Sequence, residues 1–273
     1  MPELPEVITI RNDLRKEVLG KRIKSVKKAK GYNFDSNVLK TLVGQEITEV
    51  TNVAKLLLLG ISSGNYIAVH LNMTGLLLFN AEDPYIKITL ELDSGDKLHY
   101  SSVRMFGFFD VWPVSKANEY KNYSGQTALE SNLTKEDFAE KIGSRKKPIK
   151  TALLDQKIIS GIGNIYANDA LFMAKIHPKR NASILSQEEL FALFEALQVI
   201  LNEGIEHRGS TIDRYRDLYG KPGWHQDFFR VYGKRGGQPC PNCKNPLTYE
   251  KMQGRPTFYC EICQPIDTRP KLL

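Results

Sequence analysis

The sequence opens Met1-Pro2-Glu3-Leu4-Pro5-Glu6, and the chemistry on offer there is that of an amine beside an acid. The small side chain of Pro2 predicts removal of the initiator methionine, which leaves a secondary amine next to the Glu3 carboxylate. An α-amino group titrates near ~7.8 and a lysine near ~10.4, so at pH 7.5 the terminal amine is neutral roughly two to three hundred times more often. Such an amine attacks carbon without a separate base and forms an iminium with a sugar C1′ or an aldehyde. Pro2 and Pro5 also suit a plain helix start, where a missing N–H costs nothing.

A second group is at the other end of the chain. Cys240, Cys243, Cys260 and Cys263 are the only cysteines, and they form two Cys-x-x-Cys pairs with the spacing of a tetrahedral metal site. Two disulfides are the competing arrangement. In a cytosolic chain with every cysteine in a paired knuckle, one structural Zn2+ is the better expectation.

These groups need a scaffold. Val7, Ile10, Leu14 and Val18 make one apolar stripe, which predicts a helix from the first residues and a docked terminus. Short β-rich runs follow over 22–30, 47–61, 66–71, 76–79, 86–92, 97–100 and 108–112. Ser62-Ser63-Gly64-Asn65, Glu82-Asp83-Pro84 and Asp93-Ser94-Gly95-Asp96 break them, as in an antiparallel sandwich or barrel. Residues 113–133 show no period and read as a linker. Thr134 and Pro148 start helices, and Ser186-x-x-Glu189 is a capping box opening a long one. The expected class is α+β, with domains over 1–115, 134–228 and 229–266, a linker over 116–133 and a tail over 267–273.

Of 38 Lys+Arg and 31 Asp+Glu in 273 residues, 21 and 13 lie in 141–273, leaving 17 and 18 before them. The whole basic excess is therefore C-terminal, which suits a polyanion such as nucleic acid, although a solubilising surface has the same bias. No apolar run approaches a membrane span and no signal-peptide layout is present, so a soluble cytoplasmic protein is expected, and it is read as a monomer.

Two turns hold unusual residues: Met73 in His70-Leu71-Asn72-Met73-Thr74-Gly75, and Arg104 and Phe106 in Val103-Arg104-Met105-Phe106-Gly107. Tucked inside, Met73 and Phe106 are core; exposed, they are wedges for a base stack. Gly161-Ile162-Gly163-Asn164 leads into a helix and turns backbone N–H groups outward, an anion-site geometry that is also common at helix–helix turns. Arg208–Asp227 reads as a mobile loop, and Gln253-Gly254-Arg255-Pro256-Thr257 as a hairpin tip between the cysteine pairs.

Together, the Pro2–Val7 opening, His70–Gly75, Gly161–Tyr166 running to Ile176-His177-Pro178, and the terminal cysteine hairpin resemble the formamidopyrimidine-DNA glycosylases, in order and over nearly the whole chain. Leu4 resembles the oxidised-purine branch rather than the endonuclease VIII branch. The resemblance implies an N-terminal β-sandwich, a helix–two-turn–helix module and a zinc finger, with DNA crossing between the halves. It implies that Pro2 is the Schiff-base nucleophile, Glu3 the acid for the opening sugar and Glu6 a support for the terminus. Lys55 would contact phosphate and assist β-elimination; Arg255 would grip the flanking phosphates and assist δ-elimination. Met73, Arg104 and Phe106 would fill the void left by the extruded nucleotide, since a stacked C1′ is out of reach of a chain terminus. His70, Lys146, Lys150, Asn164 and Lys221 complete the implied DNA contacts.

The chain departs from the family pattern at Ser102-Val103-Arg104-Met105, where an Asp-Pro-Arg-Arg or Asp-Pro-Arg-Lys turn is usual. Asp169 takes the place of a glutamate, and Tyr85 that of a histidine. The expected function is removal of oxidised purines from duplex DNA followed by strand cleavage. A non-catalytic damage binder and an endonuclease VIII-like enzyme are the competing readings.

Overall fold

The computed structural model describes residues 1–234 and 236–266; the tail 267–273 lies outside the described residues. Two compact units are present, Met1–Tyr123 with Gly204–Gln226, and Ser124–Glu203 with Asp227–Leu273.

The first unit starts with helix α1 (Leu4–Glu17), with Glu3 at its N-cap and Pro5 in its first turn. Strands β1 (Ile23–Lys28), the short helix α2 (Ser36–Lys40), β2 (Ile47–Val53), β3 (Leu56–Ile61), β4 (Tyr66–His70), β5 (Gly75–Phe79), β6 (Ile86–Leu92), β7 (Lys97–Ser102) and β8 (Phe108–Trp112) follow. They form two four-stranded antiparallel sheets, ordered β1-β6-β7-β5 and β2-β3-β4-β8. One apolar cluster takes side chains from both sheets, such as Leu77 and Tyr100 from the first and Leu57 and Val69 from the second. The predicted stripe Val7, Ile10, Leu14 and Val18 enters the same cluster fully buried. At about 1.5–3 kcal/mol for each such side chain, that burial outweighs any intrinsic helix preference.

The run Leu56-Leu57-Leu58-Leu59 does not alternate because β3 is covered on both faces. Leu57 and Leu59 face the main core. Leu56 and Leu58 pack with Trp112 and Ala117 in a second cluster. Ala117 belongs to helix α3 (Val114–Tyr123), which occupies part of the stretch read as a linker. Its stripe of Val114, Ala117 and Tyr120 is too thin to show a period. The stretch 47–61, read as one β run, is a hairpin: Val53 pairs with Leu56 across the two residues Ala54 and Lys55, and Ala54 takes φ +50. No glycine or asparagine marks this turn, which is why the sequence hides it.

Gly204–Gln226 groups with the sandwich, whereas the sequence assigns it to the helical domain. Tyr215 and Leu218 enter the main core, and Leu218 O accepts the Phe79 N–H.

The second unit contains β9 (Gln126–Thr127), α4 (Lys135–Gly143), α5 (Ile149–Leu153), β10 (Ile159–Ser160), α6 (Asn164–Met173), most of α7 (Gln187–Glu206), and the hairpin β11 (Thr248–Met252) and β12 (Arg255–Tyr259). Thr134 caps α4, and Pro148 stands at the N-cap of α5. Ser186 and Glu189 exchange the two bonds of a capping box before α7. Asp169 of α6 is buried and accepts the N–H groups of Arg230, Val231 and Tyr232 at 2.8–2.9 Å. Burial raises its pKa all the same, so those three donors offset only part of the desolvation cost.

Candidate active site and nucleic-acid interface

Pro2 and Glu3 are buried and Met1 is exposed. The Glu3 N–H donates to Glu6 Oε2 at 2.7 Å. The other Glu6 oxygen accepts the Ser210 N–H, also at 2.7 Å. Glu6, itself 1 % exposed, thus ties the start of the chain to a turn 204 residues away. At that turn Gly209 has φ +83, and a Cβ there would stand 2.7 Å from Glu6 Cγ; glycine is the residue that fits.

The segment after Gly209 is anchored further along α1. The Arg208 guanidinium bonds Asp13 at 2.5 Å and Asp217 at 2.7 Å, and these two carboxylates hold its pKa well above the ordinary value despite burial. The Tyr219 hydroxyl donates to Glu17 at 2.8 Å, and the Tyr215 hydroxyl to Arg208 O at 3.1 Å. Lys221 is exposed, with its backbone N–H and C=O bonded to Asp217. The stretch expected to be mobile is thus a hydrogen-bonded element of the first unit. Its partner carboxylates lie too far upstream for sequence pattern to reveal, and the run of glycines is the only local sign of a constrained path.

Lys55 sits in the β2–β3 turn and is 7 % exposed. His70, paired with Leu56 at the neighbouring strand end, has its pKa pushed down to about 4 by burial and by the Lys55 charge. The Asn72 N–H donates to His70 Nδ1 at 3.2 Å, which leaves the proton of the neutral ring on Nε2. The ring stacks on Phe108 at 5.9 Å and Phe108 on Trp112 at 5.6 Å. Imidazole here is a neutral donor at physiological pH.

Met73 and Phe106 are 48 % and 61 % exposed, and Arg104 is exposed beside Phe106; the alternative of a tucked, core position does not hold. Their two turns are joined. The Asn72 side-chain amide donates to Phe106 O, and the Arg104 N–H donates to Thr74 Oγ1 at 3.1 Å. Met105 and Asn72 both take positive φ, and a Cβ on Gly107 would come within 2.4 Å of His70 O. Asn72 and Gly107 are the residues sequence reasoning passed over here.

In the second unit Lys146 and Arg255 are exposed. Arg255 follows the tip Gln253-Gly254, where both residues take positive φ, the conformation of a two-residue hairpin turn. Lys150, in contrast, is 2 % exposed, and its ammonium donates to Pro256 O and Thr257 Oγ1, each at 2.8 Å. The Asn164 amide also donates to Pro256 O, at 2.9 Å. Asn168, not singled out from sequence, accepts the Phe258 N–H at 2.9 Å.

The four cysteine sulfurs lie within 4.8 Å of one another, with Cys240–Cys263 at 3.8 Å and Cys243–Cys260 at 3.4 Å. Four sulfurs at 2.3 Å from a tetrahedral centre stand roughly 3.8 Å apart, so the set could hold a metal ion. The Asn245 amide, 3.4 Å from Cys243 Sγ, is the leading cause that lowers that thiol to about 6 and favours its thiolate, whereas burial pushes the Cys260 and Cys263 thiols up. Among the described residues no helix is long and apolar enough to cross a membrane.

Residues 1–109 match the formamidopyrimidine-DNA glycosylase N-terminal domain and residues 125–216 the formamidopyrimidine-DNA glycosylase H2TH domain. The chain is 40% identical over 275 residues to the formamidopyrimidine-DNA glycosylase of Carboxydothermus hydrogenoformans, covering 97% of this chain and 100% of that protein. It is similar in structure to a Lactococcus lactis FPG mutant in complex with a Fapy-dG containing DNA, at TM-score 0.88 and 29% identity, covering 97% of this chain and 100% of the other. A complex of Lactococcus lactis Fpg with an abasic site containing DNA gives TM-score 0.87 and 28% identity over the same shares. By its two domain matches and its full-length relative, the chain belongs to the formamidopyrimidine-DNA glycosylase family.

Proposed function

We propose that this enzyme excises oxidised purines, 8-oxoguanine and formamidopyrimidines, from duplex DNA and then cleaves the strand by β,δ-elimination through a Schiff base at Pro2. The observation that carries the reading is the held terminus: Pro2 is buried at the head of α1, and Glu6, which closes the capping box there by accepting the Glu3 N–H at 2.7 Å, is itself fixed by the Ser210 N–H from 204 residues away. A helix start needs no such tie to a distant turn. A nucleophile does, because reactivity depends on aim.

With Met1 removed, the Pro2 nitrogen attacks C1′ as the damaged base departs with a proton. Glu3 protonates the ring oxygen, the sugar opens, and the nitrogen's electron pair completes an iminium. Loss of a C2′ proton then expels the 3′ phosphate, and a second elimination expels the 5′ phosphate. Lys55 sits beside His70, where a cation and a neutral Nε2–H donor suit one phosphate. Arg255 faces the other flanking phosphates, and hydrolysis of the final iminium returns free Pro2. Met73 and Phe106 fill the gap left by the flipped nucleotide, and Arg104 offers donors to the estranged base, cytosine by preference. The cysteine cluster would hold one Zn2+, whose role is to fix the hairpin that carries Arg255.

Borohydride reduction during reaction with an 8-oxoguanine:cytosine duplex tests the reading. A covalent adduct whose cross-link maps to Pro2 is expected, along with near-complete loss of adduct in protein that retains Met1 or carries Pro2→Gly. Undiminished trapping with Met1 retained would overturn the mechanism, and preferential action on oxidised pyrimidines would overturn the substrate class.

A further inference from the structure

A buried ammonium costs several kcal/mol unless good partners replace its water. Lys150 has two such partners in Pro256 O and Thr257 Oγ1, and Thr257 is itself 0 % exposed. Asn164 joins Lys150 on the Pro256 carbonyl, and Asn168 takes the Phe258 N–H. Side chains of α5 and α6 therefore hold the three residues that directly follow Arg255. Pro256, opposite Lys251 in the hairpin, has no N–H to give the ladder, and an isolated two-stranded hairpin is marginal in water. The register of the tip must be set in part from outside the hairpin, and these three side chains are among the contacts that set it.

We infer that Lys150 is a positioning residue that aims Arg255 through the Pro256 carbonyl and Thr257, rather than a phosphate ligand. The inference rests on the role given to Arg255 above. Lys150 is 2 % exposed and already places its ammonium on two protein acceptors within the second unit, which is the arrangement of a structural tie rather than of a group held ready for phosphate.

The test compares full-length Arg255→Ala, Lys150→Met and the double variant. Each is assayed for affinity to an abasic-analogue duplex across a salt series and for δ-elimination product on lesion DNA. A phosphate-neutralising residue adds roughly 0.9 to the slope of log K against log salt. Arg255→Ala is expected to lower that slope by about 1 and to weaken binding and δ-product about tenfold. Lys150→Met should give a similar loss, and the double variant should match Arg255→Ala within about twofold, since coupled residues do not add. A further slope decrease of about 0.9 when Lys150→Met is placed on Arg255→Ala would make Lys150 a phosphate ligand and overturn the inference. An Arg255→Ala protein indistinguishable from the parent would instead overturn the role of Arg255, and the inference with it. Thr257→Val, which removes one Lys150 acceptor and keeps the strand, serves if Lys150→Met does not fold. Its loss should likewise vanish in the Arg255→Ala background, and additivity there would count against positioning.

Discussion

Ser210 donates its backbone N–H to the Glu6 carboxylate at 2.7 Å, joining the first turn of α1 to a segment two hundred residues later. The same carboxylate holds the Glu3 N–H, so the orientation of the terminus and the seating of the 208–219 segment share one acceptor.

Gly209→Ala should damage both. The added Cβ meets Glu6 Cγ at 2.7 Å and Tyr215 Cε1 at 2.9 Å, in a left-handed conformation that costs an L-residue about 1–2 kcal/mol before any clash. With about 1–3 kcal/mol of overpacking, the expected loss in chemical denaturation is roughly 2–5 kcal/mol. Covalent trapping on lesion DNA should fall at least tenfold at temperatures where the variant is folded. Gly64→Ala, also left-handed at φ +84 but with nothing within 4 Å, should cost about 1 kcal/mol and leave trapping intact.

His70 predicts a pH dependence of stability with a definite sign. Its folded pKa is about 4 against an ordinary 6.5, so the unfolded chain takes up the proton first as pH falls. The stability that His70 contributes is full above pH 6.5, is lost as pH falls from 6.5 to 4, and is lost no further below that. The change is at most about 3 kcal/mol. Denaturant midpoints between pH 7 and pH 4 should drop less in His70→Gln than in the parent, and ring-proton NMR should show no His70 titration near pH 6.5.

Phe106→Ala separates function from folding. The ring is 61 % exposed, so stability should change by no more than about 0.5 kcal/mol. Excision from a fully paired duplex should fall about tenfold or more, because nothing offsets the few kcal/mol of unstacking. The deficit should shrink when the lesion lies in a mismatched bubble, and an equal deficit on both substrates would count against a wedge.

Removing the metal should act on the hairpin and spare the sandwich. Cys240 and Cys260 are fully buried and pack with Phe172, Leu247 and Phe258. Elemental analysis should find one zinc per chain, and a strong chelator or Cys260→Ser should abolish duplex binding. Amide exchange should then rise over 240–264 and stay slow in β3, which is covered on both faces.

The cysteine cluster and the face of α1 were legible in the sequence, since each depends on local spacing. The β2–β3 turn was not, because Ala54 adopts a positive φ that its residue type does not announce. The exposure of Met73 and Phe106 could not be read either, since an apolar residue at a bend is equally at home inside. Seating of Gly204–Gln226 on the sandwich depends on Glu6, Asp13 and Glu17, partners that no window of twenty residues contains. Lys150 is a DNA contact by resemblance alone, and only the fold shows that its ammonium is placed on a carbonyl and a hydroxyl from 106 and 107 residues away.

The bond from the Asn72 amide to Phe106 O joins two separate bends into one unit. Ordering a backbone residue costs about 1–2 kcal/mol, and here that cost falls during folding, before any double helix arrives. On the wedge role proposed above, a sensor already set would test one base pair after another without rearranging, so how long it pauses should depend on how weakly each pair is stacked.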